Sequence, residues 1–127
     1  MTVDPAKLLR VKAAMLDYFN RFPVGVSLSK LRDAVGEADA SGEYMLMNAA
    51  CRRLNICWWT DASCEFCAAI TGLLESGDIT VYPTSVLTYM VDGWIPAMPP
   101  LVDRVNTTVP YMHLHWVPVA FDLARAS

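Results

Sequence analysis

The sequence predicts a single α+β domain covering residues 1–127, with helices in its first half and mostly extended chain in its second. Three observations lead to this prediction. Apolar residues recur at helical spacing up to about residue 76, and short runs rich in β-branched and aromatic residues follow. Six of the eight prolines lie at or beyond Pro83. A chain of this length can bury roughly two-thirds of its unfolded surface around one core.

The first two helices have recognisable ends. Asp4-Pro5 is typical of an N-cap followed by proline in the first turn, and Pro23 ends the helix that follows. Ser27 is placed to cap a second helix, which Gly36 ends. Both helices carry apolar residues on one side, so the sequence predicts that they pack against a shared core.

The middle of the chain predicts two further helices and a β hairpin. A third helix is expected over residues 43–54. A fourth is expected to be capped by Thr60, Asp61 or Ser63 and to run to Ser76, where Gly77 follows. The runs Ile79–Tyr82 and Val86–Val91 have strand composition, and they are predicted to pair as a hairpin.

A Pro-rich C-terminal extension is predicted over residues 92–127. Proline interrupts regular structure repeatedly here, and the clearest expected strand is Tyr111–Val117. The apolar stretch from Trp94 to Leu101 carries no charge. Because burying apolar surface is favourable by about 25 cal/mol per Å², we expect this stretch to be covered, and we predict a homodimer with it near the interface.

Helices that lead through Leu73-Leu74-Glu75-Ser76-Gly77-Asp78-Ile79-Thr80-Val81-Tyr82 into a hairpin resemble the winged-helix superfamily across residues 5–91. The resemblance implies a DNA-binding transcriptional regulator with a recognition helix in the major groove. The basic residues available to such a regulator are Lys30, Arg32, Arg52 and Arg53.

Charge disfavours nucleic acid as the partner. No Lys or Arg occurs from Leu54 to Asp103, so the fourth helix and the hairpin offer nothing to phosphate groups. The function predicted first is therefore a small non-enzymatic protein-binding module (an inhibitor, adaptor or regulator) that uses an acidic, aromatic surface toward a partner protein with a basic surface. The candidate protein-binding residues are Asp61, Glu65, Glu75, Asp78 and Trp94. The other aromatic candidates are Trp58, Trp59 and Trp116, with a core position as the alternative for all four tryptophans.

The cysteines carry a second alternative. Cys64-Glu65-Phe66-Cys67, at the start of a predicted helix, is similar to the thioredoxin active site, which implies a thiol oxidoreductase. The interpretation we favour is that Cys64 and Cys67 are structural thiols, with no metal and no cofactor.

No motif typical of a catalytic site or a phosphate loop occurs, so we expect no enzyme activity. The sequence also shows no secretion signal and no apolar run long enough to span a bilayer. We therefore expect a cytoplasmic protein without a membrane partner.

Overall fold

The computed structural model describes residues 2–96, 98, 100 and 111–124, and in them the protein is a mixed α and β structure. The described helices are α1 (Pro5–Arg21), α2 (Leu28–Val35), α3 (Glu37–Ala40), α4 (Ala49–Leu54), α5 (Cys64–Glu75) and α6 (Val86–Asp92). The described strands are β1 (Val26–Ser27), β2 (Ser41–Leu46), β3 (Ile56–Cys57), β4 (Trp59–Ala62), β5 (Ile79–Pro83), β6 (His115–Trp116) and β7 (Val119–Leu123).

Three helices and a three-stranded sheet enclose the core. The sheet has the order β1-β7-β5, and β7 is antiparallel to both neighbours. Helices α1, α2 and α5 pack together beside it, and the side chains of Phe19, Leu28, Phe66, Ile70 and Phe121 are fully buried. The strand nearest the C-terminus, predicted to lie in an extension, is therefore central to the sheet.

Local capping explains the helices that the sequence predicted correctly. The Asp4 side chain accepts the backbone N–H of Ala6 at the start of α1, and Ser27 accepts that of Lys30 at the start of α2. Ser63 is the N-cap of α5 and accepts the backbone N–H of Phe66. Each of these caps satisfies a donor that the first helical turn leaves free.

The predicted helix over residues 43–54 is wrong in its first half. Residues Ser41–Leu46 form β2, which pairs irregularly with β4, and only Ala49–Leu54 are helical. Asn48 caps α4 by accepting the backbone N–H of Cys51, so the helix begins after it. Pairing with β4 outweighs the helix propensity of Glu43, Met45 and Leu46, because tertiary contacts override this local preference.

The predicted hairpin over residues 79–91 is also wrong, because only its first strand forms. Val86–Asp92 are helix α6, and β5 pairs instead with β7 through the register Ile79–Leu123 to Pro83–Val119. β7 thus takes the place expected for the second strand. The chain between these two antiparallel strands is an insertion that contains α6 and β6.

The predicted strand Tyr111–Val117 is reduced to His115–Trp116, which pairs in parallel with β3. Individual bonds hold the residues before it: the backbone N–H of Tyr111 reaches the carbonyl of Leu54, and the Asn55 side-chain amide donates to the carbonyl of Tyr111. The part of the predicted extension over residues 101–110 lies outside the described residues.

The tryptophans divide between core and surface. Trp59 and Trp116 are buried, Trp58 is half-buried and Trp94 is 44% exposed. Among the residues that the structure describes, no helix combines the length and apolar character needed to cross a membrane.

Candidate functional site

Helix α6 presents three large apolar side chains to solvent. Leu87 is 65% exposed, Met90 59% and Val91 77%, and their spacing of three and four residues places them on one side of the helix. We call these three residues the α6 apolar face. Trp94 and Ile95 follow Asp92 and Gly93 in the chain and are also exposed, which adds apolar surface just beyond the end of the helix.

The opposite side of α6 is fixed to the core. Tyr89 is fully buried, and its hydroxyl accepts the backbone N–H of Leu28 at 3.0 Å and donates to the carbonyl of Val119 at 2.5 Å. At the end of the helix, the Asp92 carboxylate accepts the Ser27 hydroxyl at 2.6 Å. These bonds hold the helix in one orientation, so the α6 apolar face is displayed by a well-anchored element.

A pocket of about 200 Å³ lies beside this apolar surface, and we call it the Trp94 pocket. It is smaller than the roughly 300–1,000 Å³ typical of sites for drug-sized ligands. Its size therefore suits one side chain or a small group. The lining residues are Arg32, Ser41, Gly42, Trp59, Thr60, Asp61, Trp94, Ile95 and Pro96.

Arg32 forms a stacked wall of the pocket. Its guanidinium carbon lies 3.7 Å from the centre of the Trp94 ring, and only 13% of its side chain is exposed. One nitrogen, Nη2, lies 3.5 Å from the Ser41 hydroxyl and 3.6 Å from a Glu37 carboxylate oxygen. Both distances are long, so the cation is only loosely paired.

Asp61 contributes the opposite charge at the pocket's exposed rim. Its backbone has φ 53°, in the left-handed region that Asp tolerates better than most residues. No Lys or Arg of the described residues forms an ion pair with it. Gly42 lets β2 approach β4 closely at this point, since a β carbon at Gly42 would lie 2.8 Å from the carbonyl oxygen of Ala62.

The structure separates the predicted acidic residues. Asp61 and Trp94 share the Trp94 pocket, whereas Glu75 lines a groove of about 430 Å³ between α5 and β2. Arg52 lines that same groove, and Asp78 is exposed after the end of α5, where it accepts the Ser76 hydroxyl. Asp61 and Glu75 therefore each share a cavity with an arginine, although both acids belong to the stretch from Leu54 to Asp103 that contains no Lys or Arg.

Glu65 does not belong to an exposed surface, which corrects its predicted role. The residue is 5% exposed, and its carboxylate accepts the backbone N–H of Asp4 at 2.9 Å and lies 3.3 Å from the Lys7 ammonium. The pKa of Glu65 is lowered to about 2, chiefly by the hydrogen bond from the Asp4 backbone N–H and, to a smaller extent, by the bond from the Cys64 thiol. Its role is to hold the start of α1 against α5.

The thiols of the C-x-x-C segment are in an environment that opposes thiolate formation. Cys64 Sγ donates to Glu65 Oε2 at 3.0 Å, and this bond to an anion raises the pKa of the thiol. Burial raises the pKa of Cys67 to about 11. A nucleophilic cysteine needs the opposite shift, so the local electrostatics give no support to the oxidoreductase alternative.

The residues predicted for DNA binding lie in different environments. Arg32 is stacked in the Trp94 pocket, Lys30 is half-buried in the first turn of α2, and Arg52 and Arg53 are exposed on the last turn of α4. Helix α5, which was expected to be the recognition helix, contains no Lys or Arg and packs against α1 and β2.

Sequence reasoning missed the α6 apolar face because residues 86–91 were interpreted as a strand. The spacing of Leu87, Met90 and Val91 around Tyr89, followed by Gly93, was the signal that could have identified a helix. Within the described part of the chain, no group of three His, Cys, Asp or Glu side chains is arranged to hold a metal ion.

Comparison with known proteins gives no family model that matches the chain, and no curated protein or solved structure matches it.

Proposed function

We propose that this protein is a small, non-enzymatic protein-binding module that acts as an inhibitor, adaptor or regulator. The observation that carries the proposal is the α6 apolar face, where Leu87, Met90 and Val91 are each more than half exposed on an anchored helix. Exposed apolar surface that is contiguous marks sites of association. Side chains at such spacing are the usual anchors of a helix that docks into a groove.

The scaffold of the proposed module is winged-helix-like. Helices α1, α2 and α5 with the antiparallel strands β5 and β7 support this, and α6 belongs to the insertion between those strands. The absence of any Lys or Arg from Leu54 to Asp103 favours protein over nucleic acid as the partner. The four free thiols favour a reducing location, the cytoplasm.

The proposed partner is another protein that places apolar side chains on the α6 apolar face and a basic group near Asp61. Asp61 is exposed and forms no ion pair with a Lys or Arg of the described residues. A basic group on the partner would supply the complementary charge and so favour that partner over others. A second copy of this chain would supply the same excess acid at its own surface. We therefore favour a different protein, with the predicted homodimer as the alternative.

The test compares the unmodified protein with the double variant Leu87→Glu/Val91→Glu and with Leu9→Glu. Leu9 is 71% exposed on α1, so this control places a charge at an equally exposed apolar position elsewhere. The unmodified protein and Leu9→Glu are first used to capture partner proteins from an extract of the source organism. Each captured partner is purified, and its affinity for all three proteins is measured by calorimetry. We expect the double variant to weaken the binary complex at least about tenfold, the effect of losing a hot spot.

Equal binding by the double variant would contradict the proposal. Light scattering on the same three proteins tests the alternative, in which a second copy of this chain covers the α6 apolar face. A dimer that becomes monomeric only in Leu87→Glu/Val91→Glu would assign the α6 apolar face to self-association and replace the separate partner.

A further inference from the structure

We propose that the Trp94 pocket binds the carboxylate of a chain end, with Arg32 as the residue that recognises it. This inference rests on the proposed function, because it names the chemical group by which a partner protein would be anchored beside the α6 apolar face. The ligand is the last residue of a polypeptide, with an apolar side chain.

The hydrogen-bonding capacity of Arg32 is the first support. Only Nη2 has polar contacts among the described residues, to Ser41 and Glu37. No buried side-chain nitrogen or oxygen of the described residues lacks a hydrogen-bond partner. The Nε and Nη1 donors therefore reach solvent, although the side chain as a whole is only 13% exposed.

The fixed position of Arg32 is the second support. Stacking on Trp94 at 3.7 Å covers one face of the guanidinium and leaves the Nε–H and Nη1–H groups free. A guanidinium held in this way can donate a charge-assisted N–H···O bond to a carboxylate, with less entropy lost than for a mobile side chain. The pocket thus presents a preorganised carboxylate receptor.

The remaining lining fits the rest of a terminal residue. Trp59, Ile95 and Pro96 form an apolar wall for its side chain. Asp61 and the Thr60 hydroxyl can accept backbone N–H groups that precede a terminal carboxylate. The volume of about 200 Å³ limits the occupant to about one residue. A peptide end carries both a carboxylate for Arg32 and a backbone N–H for Asp61, whereas an isolated anion can pair only with Arg32.

Small probes test the chemistry directly. N-acetyl-leucine carries the free carboxylate, the apolar side chain and one amide N–H, and N-acetyl-leucinamide lacks only the charge. We expect N-acetyl-leucine to shift the Arg32 side-chain NMR signal and to bind at least about tenfold more tightly than the amide, the effect of losing a charge-assisted pair. N-acetyl-glutamate α-amide supplies a side-chain carboxylate instead, and we expect it to bind more weakly than N-acetyl-leucine.

The variant series uses Arg32→Lys, which keeps the charge and loses the planar guanidinium stacked on Trp94, and Arg52→Lys as the matched control in the α5–β2 groove. Arg32→Lys should weaken N-acetyl-leucine binding about tenfold, with Arg52→Lys unchanged. Equal binding of acid and amide, equal binding by Arg32→Lys, or tighter binding of the glutamate probe would each overturn the proposal.

The outcome separates this inference from the proposed function. Leu87→Glu/Val91→Glu should retain N-acetyl-leucine binding while it loses the partner protein. Partner binding that survives Arg32→Lys at full strength would refute the chain-end anchor and leave the α6 apolar face as the docking surface.

Discussion

The hydroxyl of Tyr89 donates to the carbonyl of Val119 at 2.5 Å, and this bond ties α6 to the central strand of the sheet. The same hydroxyl accepts the backbone N–H of Leu28, so one buried side chain joins three elements that are distant in sequence. Burial raises the pKa of Tyr89, which keeps the phenol protonated and able to donate. The display of the α6 apolar face depends on this residue.

Tyr89→Phe should destabilise the protein by about 1–3 kcal/mol, because it leaves a buried donor at Leu28 and a buried acceptor at Val119 without partners. Urea unfolding followed by fluorescence measures the change. Tyr82→Phe is the matched control, since the Tyr82 hydroxyl bonds to Asp122 at the surface. An equal loss in both variants would contradict a special role for Tyr89.

Glu65 should make stability depend on pH in the acid range. Its pKa is lowered from 4.5 to about 2 in the folded protein, so its contribution is complete above the unfolded value and is lost as pH falls from about 4.5 toward 2. Glu65→Gln should reduce stability at pH 7 by about 1–3 kcal/mol and flatten the profile below pH 4.5. Denaturation at several pH values provides the measurement.

Glu75→Gln controls for the change in net charge, because Glu75 is exposed on the same helix. A Glu65→Gln profile parallel to that of the unmodified protein would mean that other carboxylates determine acid unfolding.

Cys64 and Cys67 should react slowly with a thiol reagent at pH 7, because the pKa of each thiol is raised. Single Cys→Ser variants should leave partner binding intact and cost about 1 kcal/mol in stability. Reaction rates followed from pH 6 to pH 10 show whether either thiolate forms within that range. A Cys64 thiolate that forms below pH 8 would restore the oxidoreductase alternative.

Generic duplex DNA should bind no more tightly than about 1 µM at physiological salt, because α5 and β5 lie in the stretch from Leu54 to Asp103 that contains no Lys or Arg. Gel shifts at increasing salt test this directly. If a tighter, salt-sensitive complex were found, Arg52→Ala/Arg53→Ala should reduce the salt dependence by about one to two phosphate contacts. That result would favour the DNA-binding alternative over a protein partner.

Local patterns were sufficient for the helices with strong caps. Asp4 and Ser27 each place an acceptor before an apolar periodic run, and helices α1 and α2 begin where these residues predict. For α5 the sequence offered Thr60, Asp61 or Ser63 as the cap, and the structure selects Ser63. The strand predicted over Ile79–Tyr82 also forms, and it extends one residue further to Pro83, because β-branched residues follow the glycine after a helix. In these segments the preference of neighbouring residues and the tertiary environment agree.

Tertiary structure decided the secondary structure of residues 86–91 and the positions of the charged side chains around the Trp94 pocket. Val86–Val91 has strand composition, yet a helix lets Tyr89 reach Leu28 and Val119 while β7 pairs with β5. The sequence alone determined that fifty residues lack a basic side chain, but only folding brings Arg32 against Trp94 and into one pocket with Asp61. Capping acts over a few residues and can be identified in the chain, whereas a pocket forms from distant segments whose approach depends on the packing of the whole core.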